Sequence, residues 1–240
     1  MLDIVFDVIF PRRCPICSDI ASPRGELICK ECRTKLYPID EPKCLKCGKP
    51  IEDMEEELCF DCERKKHHYL KGYGLFVYKG DIKKSIANFK YHNKKEYARF
   101  YVEEFLLKYS EEIERIKPDA FVPIPIHRNK KNKRGYNQAD VLAKEIGERL
   151  KIPVLSNLLI RDKYTLPQKQ LNDKERLRNL EKAFSLSQEA KHRFPGDLKK
   201  IVLVDDIYTT GSTIEVCTNV LLQNDVQEVY FICVCMGKGY

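Results

Sequence analysis

Ile201-Val202-Leu203-Val204-Asp205-Asp206-Ile207-Tyr208-Thr209-Thr210-Gly211-Ser212-Thr213 runs from four consecutive β-branched or Leu residues through two carboxylates into a hydroxyl-rich loop. An unbroken apolar run predicts a strand covered on both faces, as in a parallel sheet. Ile214, Val216, Val220, Leu221 and Leu222 predict a helix directly after it. The loop therefore stands at a strand's carboxyl end and a helix's amino end. There the free N–H groups of Thr210 to Thr213 and the positive end of the helix dipole attract a phosphate. Gly211 lets the backbone approach closely, and the Thr and Ser hydroxyls add donors. Two carboxylates beside that anion make no sense for phosphate alone. They fit a ribose 5-phosphate, whose 2- and 3-hydroxyls, or a bridging Mg²⁺, need acceptors. Helix capping needs one such residue, not six.

This order of strand, two acids and T-T-G-S-T loop resembles the phosphoribosyl-pyrophosphate (PRPP) signature of type I phosphoribosyltransferases. The resemblance implies that Asp205 and Asp206 are the catalytic carboxylates and that Thr209, Thr210, Gly211, Ser212 and Thr213 hold the phosphate. A Walker A loop is excluded, since no G-x-x-x-x-G-K-[ST] occurs.

Upstream the chain alternates as a doubly wound sheet does. Tyr73 to Tyr78 predicts a strand; Ile82, Ile86 and Phe89 predict a short helix; Tyr97, Phe100, Tyr101, Phe105 and Ile113 predict a longer one ending before Pro118. Ala120 to Ile126 is a further strand. After it His127 to Gln138 reads as a basic loop leading into the helix of Val141, Leu142, Ile146 and Leu150, with Asn137 as N-cap. Ligands of open α/β sheets bind outside the strands' carboxyl ends, so both loops can face one ligand. One takes the 5-phosphate and the other the pyrophosphate.

At the other end Cys14-x-x-Cys17, Cys29-x-x-Cys32, Cys44-x-x-Cys47 and Cys59-x-x-Cys62 recur every fifteen residues. Each C-x-x-C places two thiolates at one tetrahedral metal, so four units compose two closed Cys₄ sites of the structural zinc type. Sequential pairing is preferred: Cys14, Cys17, Cys29 and Cys32 on one ion, Cys44, Cys47, Cys59 and Cys62 on the other, as in a duplicated zinc ribbon. The spacing also admits a cross-braced pairing, and iron is chemically open. Disulfides are disfavoured because Met1 to Phe10 carries Asp3 and Asp7 and lacks a basic start, unlike a secretory leader. Cys217, Cys233 and Cys235 lie in apolar surroundings and read as core, the last two on one face of a strand Val229 to Val234.

The 240 residues accommodate a zinc module over residues 1–68 and one α/β domain over 69–240. With 43% hydrophobic residues the chain can bury a real core, and no run approaches a membrane helix, so a cytoplasmic location is expected. Residues 1–68 carry 12 Lys+Arg against 14 Asp+Glu and the remainder 31 against 22, dividing the net charge of +7 into −2 and +9. The cationic α/β domain suits polyanions, either pyrophosphate-bearing metabolites or nucleic acid.

The Phe10-Pro11-x-x-Cys14-Pro15-x-Cys17 opening, Lys90-Tyr91, Val122-Pro123-Ile124-Pro125-Ile126, Arg134-Gly135-Tyr136-Asn137-Gln138 and Arg161…Thr165-x-x-Gln168…Arg176-x-x-Asn179…Phe184 together resemble the ComF/GntX family over nearly the whole chain. The resemblance implies a type I phosphoribosyltransferase-like doubly wound, mainly parallel sheet preceded by a small zinc-binding domain. It implies two structural Zn²⁺, Mg²⁺ with PRPP, and a role in DNA uptake during natural transformation. Family partners would be the competence helicase and single-strand DNA handling proteins. Arg128, Lys133, Arg134, Asn137 and Gln138 then fall on the pyrophosphate side. Arg161 to Asn179 suits the mobile loop that closes over PRPP in such enzymes.

PRPP transfer develops an oxocarbenium-like ribosyl cation as pyrophosphate leaves, which requires carboxylates near the ribose and cations on the pyrophosphate. Nothing in the residues marks an acceptor pocket. Glutamine-dependent amide transfer would need an N-terminal cysteine nucleophile, whereas Cys14 is internal and committed to a C-x-x-C. A salvage phosphoribosyltransferase and a non-catalytic PRPP sensor are the alternatives. For single-stranded DNA, Lys83, Lys84, Lys90, Tyr91, Lys94, Lys95, Tyr97, Arg99 and Tyr101 interleave cations with aromatics, though helical spacing assigns Tyr97 and Tyr101 to the core. The zinc ribbons compete as the contact surface for DNA or a partner protein.

Overall fold

The computed structural model describes residues 11–161, 183–189 and 198–237. Two short helices, α1 (Lys30–Arg33) and α2 (Phe60–Arg64), belong to the cysteine-rich region. Then follow β1 (Gly72–Val77), α3 (Ile82–Tyr91), α4 (Tyr97–Ile116), β2 (Ala120–Pro123), α5 (Arg128–Arg134), α6 (Gln138–Leu150), β3 (Leu159–Arg161), β4 (Phe184–Leu186), β5 (Lys200–Tyr208), α7 (Ser212–Leu222) and β6 (Glu228–Met236). β1, β6, β5 and β2 form one sheet in that spatial order, every pairing parallel. β3 and β4 form a separate antiparallel pair.

The central strands are apolar on both faces because both faces are covered. On one face Phe89 of α3, Phe100 and Phe105 of α4, and Leu142 and Ile146 of α6 cluster with Leu75, Val202, Val204 and Ile232. On the other, Ile214, Cys217 and Leu221 of α7 cluster with Val122, Ile201, Leu203 and Phe231. The arrangement is doubly wound, as the sequence led one to expect. Cys233 and Cys235 do not share a face, however. Cys233 joins the α7 side and Cys235 the α3/α4 side. The alternation slips one residue near the strand ends, where Val234 and Cys235 pack on one side together and their neighbours Leu75 and Phe76 on β1 do likewise.

The cysteines form two sets, Cys14 with Cys17, Cys29 and Cys32, and Cys44 with Cys47, Cys59 and Cys62, their sulfurs within 4.8 Å of one another in each. Pairing is sequential, and the cross-braced alternative falls. The two ribbons repeat each other thirty residues apart. Cys14 N–H donates to Asp19 O and Cys44 N–H to Lys49 O, both at 2.8 Å; Ser18 and Gly48 occupy the equivalent turn at φ 69° and 79°.

The ribbons straddle the sheet edge. Ile16, Ile28 and Leu36 of ribbon 1 join the α3/α4 cluster, while Cys44, Cys47 and Cys59 of ribbon 2 join the α7-side cluster. The segment between them runs along edge strand β1, with Ile39 N–H donating to Leu75 O (2.9 Å) and Val77 N–H to Tyr37 O (2.8 Å). That contact satisfies an otherwise open strand edge. Gly72 lets ribbon 2 pack closely at the start of β1, since a Cβ there would meet the Phe231 ring at 2.2 Å and Cys47 O at 2.6 Å.

Candidate functional site

β2 and β5 are neighbours with Pro123 opposite Val204, and Ile124 N–H donates to Val204 O at 2.9 Å, so the segments beyond them leave side by side at their carboxyl ends. Asp205 and Asp206 lie in the carboxyl-terminal half of β5, which runs on to Tyr208. Asp206 is buried and its Oδ1 accepts from Lys90 Nζ at 2.7 Å; Asp205 Oδ1 accepts the backbone N–H of Asp206 at 2.8 Å. Burial first, then the charge of Asp206, pushes Asp205 up to about 7, with Lys90 and Arg161 pulling the other way.

The T-T-G-S-T segment opens α7 as expected. Gly211 is the N-cap at φ 78°, with no side-chain cap, and the first intrahelical bond runs from Glu215 N–H to Gly211 O. The N–H groups of the first turn are therefore left facing outward. Thr209 and Thr210 are exposed, and Thr210 Oγ1 lies 3.0 Å from Ser212 Oγ. Gly211 is fixed twice over: its φ favours glycine, and a Cβ would sit 2.5 Å from Tyr208 Oη. Beneath it, Tyr208 Oη and Tyr69 Oη are 2.8 Å apart, both rings packed on Phe231. Lys49, buried in ribbon 2, pairs with Asp61 at 2.7 Å and lies 5.5 Å over the Tyr208 ring. Glu215 accepts the His68 N–H at 3.0 Å. Ribbon 2 thus supports the floor of this loop.

The expected basic loop is in fact the helix α5. His127 Nδ1 accepts from Asn129 N–H (3.2 Å) at its start, and Gly135 at φ 80° ends it. Arg128 and Lys133 are exposed upon it. Arg134 donates to Tyr91 Oη and Gln138 Oε1, each at 3.0 Å. Asn137 serves as the N-cap of α6 through Ala139 N–H (3.2 Å) and donates to Ile124 O (2.9 Å), while Gln138 is buried. These two side chains spend their polar atoms on holding the β2–α6 connection.

Two cations outside the expected site set stand nearer the acids. Lys90, expected in a DNA-facing surface, is bound to Asp206. Arg161, expected in the mobile loop, ends β3 with its Nε buried and unpartnered; burial lowers its pKa while Asp205 opposes that shift. Partial burial and then the charges of Arg161 and Arg134 lower the pKa of Lys130. Lys90 and Arg161 therefore stand beside Asp205 and Asp206, with Lys130 and Arg134 of α5 in the electrostatic neighbourhood of these two cations. The Lys90-Tyr91 match was a usable signal for Lys90; for Arg161 the short strand β3 gave little periodicity to read. Thr165, Gln168, Arg176 and Asn179 lie outside the described residues. Of the aromatics expected for DNA, Tyr97 and Tyr101 are buried and only Tyr91 is open, with Arg134 stacked 4.7 Å over its ring.

Residues 5–63 match the family model described as a double zinc ribbon domain. Competence protein F of Haemophilus influenzae is 29% identical over 92% of this chain and 95% of its own length. Competence protein ComFC of Bacillus subtilis is 25% identical over 82% of this chain and 79% of that protein. Over most of its length the chain is similar to these competence proteins. The DNA utilization protein YhgH of Escherichia coli K12 is likewise similar to this chain, 27% identical over 87% of it and 89% of that protein. A fainter structural likeness, TM-score 0.34 at 19% identity over 57% of this chain and 73% of the other, is to a purine phosphoribosyltransferase from Pyrococcus horikoshii Ot3. The parallel sheet order, not that likeness, carries the fold. The double ribbon suits structural zinc: eight thiols in two tetrads, none in a disulfide, leave no open position for chemistry. No helix of the described residues is long and apolar enough to cross a membrane.

Proposed function

We propose that the crevice beyond β2 and β5 binds PRPP with Mg²⁺, and that the chain acts in DNA uptake during natural transformation. The observation that carries the first part is the juxtaposition of Asp205 and Asp206 with the uncapped first turn of α7 on one side and Lys90 and Arg161 on the other. The first turn would receive the 5-phosphate through the N–H groups of Gly211 to Thr213. Asp205, with one carboxylate oxygen uncommitted, would accept from a ribose hydroxyl or hold Mg²⁺, a hard ion that takes oxygen donors. Lys90, Arg161 and the α5 cations would face the pyrophosphate. Mg²⁺, when bound, neutralises charge on the phosphates. The second part is supported by the relatives named as competence and DNA utilization proteins.

Calorimetry tests the ligand. Mg²⁺-dependent PRPP binding is expected to weaken at least about tenfold in Asp205→Asn/Asp206→Asn, with phosphate alone affected less, because only charge is removed. Equal affinity for the pair and the wild type, or no PRPP binding by either, overturns the assignment. Gene deletion tests the role. Lost transformation with normal growth on nucleobases supports it; failed use of one base with intact transformation supports a salvage enzyme instead.

A further inference from the structure

We infer that ribbon 2 carries a docking groove for a cationic, apolar-anchored segment of a partner protein. A groove of about 710 Å³ opens beside α2, floored by Pro50, Ile51, Leu58, Phe60 and Val77. Its rim is mainly acidic, five carboxylates (Glu52, Asp53, Glu56, Glu57 and Glu63) against Lys79. Residues 50–63 hold seven Asp and Glu and no Lys or Arg, in a chain whose net charge is +7. Among the described residues, Glu52, Asp53, Glu56, Glu57 and Glu63 form no ion pair, whereas Asp61 at the inner end is held by Lys49. Two or more unpaired carboxylates around an apolar floor repel nucleic acid and complement a basic peptide.

The internal duplication supplies the control. Ribbon 1 has the same fold thirty residues earlier, yet residues 20–33 carry Arg24, Lys30 and Arg33 against Glu26 and Glu31. The zinc fold therefore does not require the acids. At the matching position, moreover, Ile28 of ribbon 1 is 2% exposed in the α3/α4 cluster while Leu58 is 38% exposed; Phe60, 44% exposed, replaces the exposed Lys30 of ribbon 1. The apolar position that ribbon 1 buries against the rest of this chain is left open on ribbon 2, and the charge of the flank has changed sign. An apolar anchor from the partner would sit on Leu58 and beside Phe60, over whose ring the chain's own Arg64 lies at 4.0 Å, with its Lys or Arg side chains against Glu56 and Glu57.

The probe is a fluorescent 15-residue amphipathic peptide of Lys and Leu, read by anisotropy on the full-length zinc-loaded protein at about 0.15 M salt, where long-range attraction is screened. Binding is expected to fall at least about tenfold in Glu56→Lys/Glu57→Lys and at least about fivefold in Phe60→Ser. Leu58→Ser provides the same test should Phe60→Ser lose its metal, and each variant must keep two zinc ions. An all-Lys peptide is expected to bind at least about tenfold more weakly than the Lys/Leu peptide. Equal binding of the all-Lys peptide, or no effect of either apolar substitution, overturns the proposal. So does a dimer in sedimentation that Glu56→Lys/Glu57→Lys abolishes, which would make a second copy the occupant, or displacement of the peptide by single-stranded DNA.

Discussion

Asp205 is the residue whose chemistry folding changes most. Half-buried beside Asp206, its carboxyl is raised to about 7, so the folded protein favours its neutral form below that pH. Its contribution to stability is then fully present below the unfolded value near 3.8 and is lost as pH rises through about 7. Asp205→Asn removes that loss. The variant should melt higher than the wild type at pH 8, by about 2–4 °C for each kcal/mol relieved, and the difference should vanish near pH 4. Thermal melts at the two pH values check this; an equal shift at both would mean that ionisation of Asp205 is not the cause. Under the PRPP reading, Mg²⁺-dependent affinity should rise with pH up to about 7 in the wild type and stay flat in the variant.

At the scale of elements, the two ribbons are copies with different neighbours. Ribbon 1 leans on α3 and α4, where Tyr97 Oη donates to Ser18 Oγ at 3.2 Å and Arg33 meets Glu104 at 2.8 Å. Ribbon 2 instead supports Tyr208 and Gly211 through Lys49 and Tyr69. Structural metal binding is itself folding energy. Cys14→Ser and Cys59→Ser should each reduce the zinc content from about two ions to one, because each Cys₄ site closes independently. Only Cys59→Ser should also weaken PRPP binding, since only ribbon 2 underlies the α7 loop. Metal analysis with calorimetry checks both. Equal effects of the two variants on PRPP would sever ribbon 2 from the loop.

For the whole molecule, the charge distribution separates two classes of partner. Ribbon 2 is acidic, while the α/β region carries the excess cations, including Lys83, Lys94, Lys95 and the exposed face of α5. A DNA-uptake role then places single-stranded DNA on the α/β region and leaves the ribbon 2 groove to protein. Binding of single-stranded DNA should weaken with salt at a logarithmic slope of about −3 if some four phosphates are neutralised, at about 0.7 each. Lys130→Ala/Lys131→Ala/Lys133→Ala should flatten that slope if α5 contributes. A slope unchanged in the triple variant moves the DNA to Lys83 and its neighbours.

The sequence by itself determined whatever depends on local order along the chain. The Ile201 to Thr213 run specified a buried strand, a turn and a helix start; C-x-x-C spacing specified two thiolate tetrads; Asn137 specified a cap. Each of these signals is complete within a few residues. The tertiary structure alone decided what depends on distant partners. It brought Lys90 and Arg161 to the carboxylates, turned the basic loop into helix α5, sent Cys233 and Cys235 to opposite faces, and set one ribbon on each side of the sheet. The reason is that side-chain periodicity records which face is buried, not what buries it. A cation's place among the acids is fixed only when strands far apart in sequence pair.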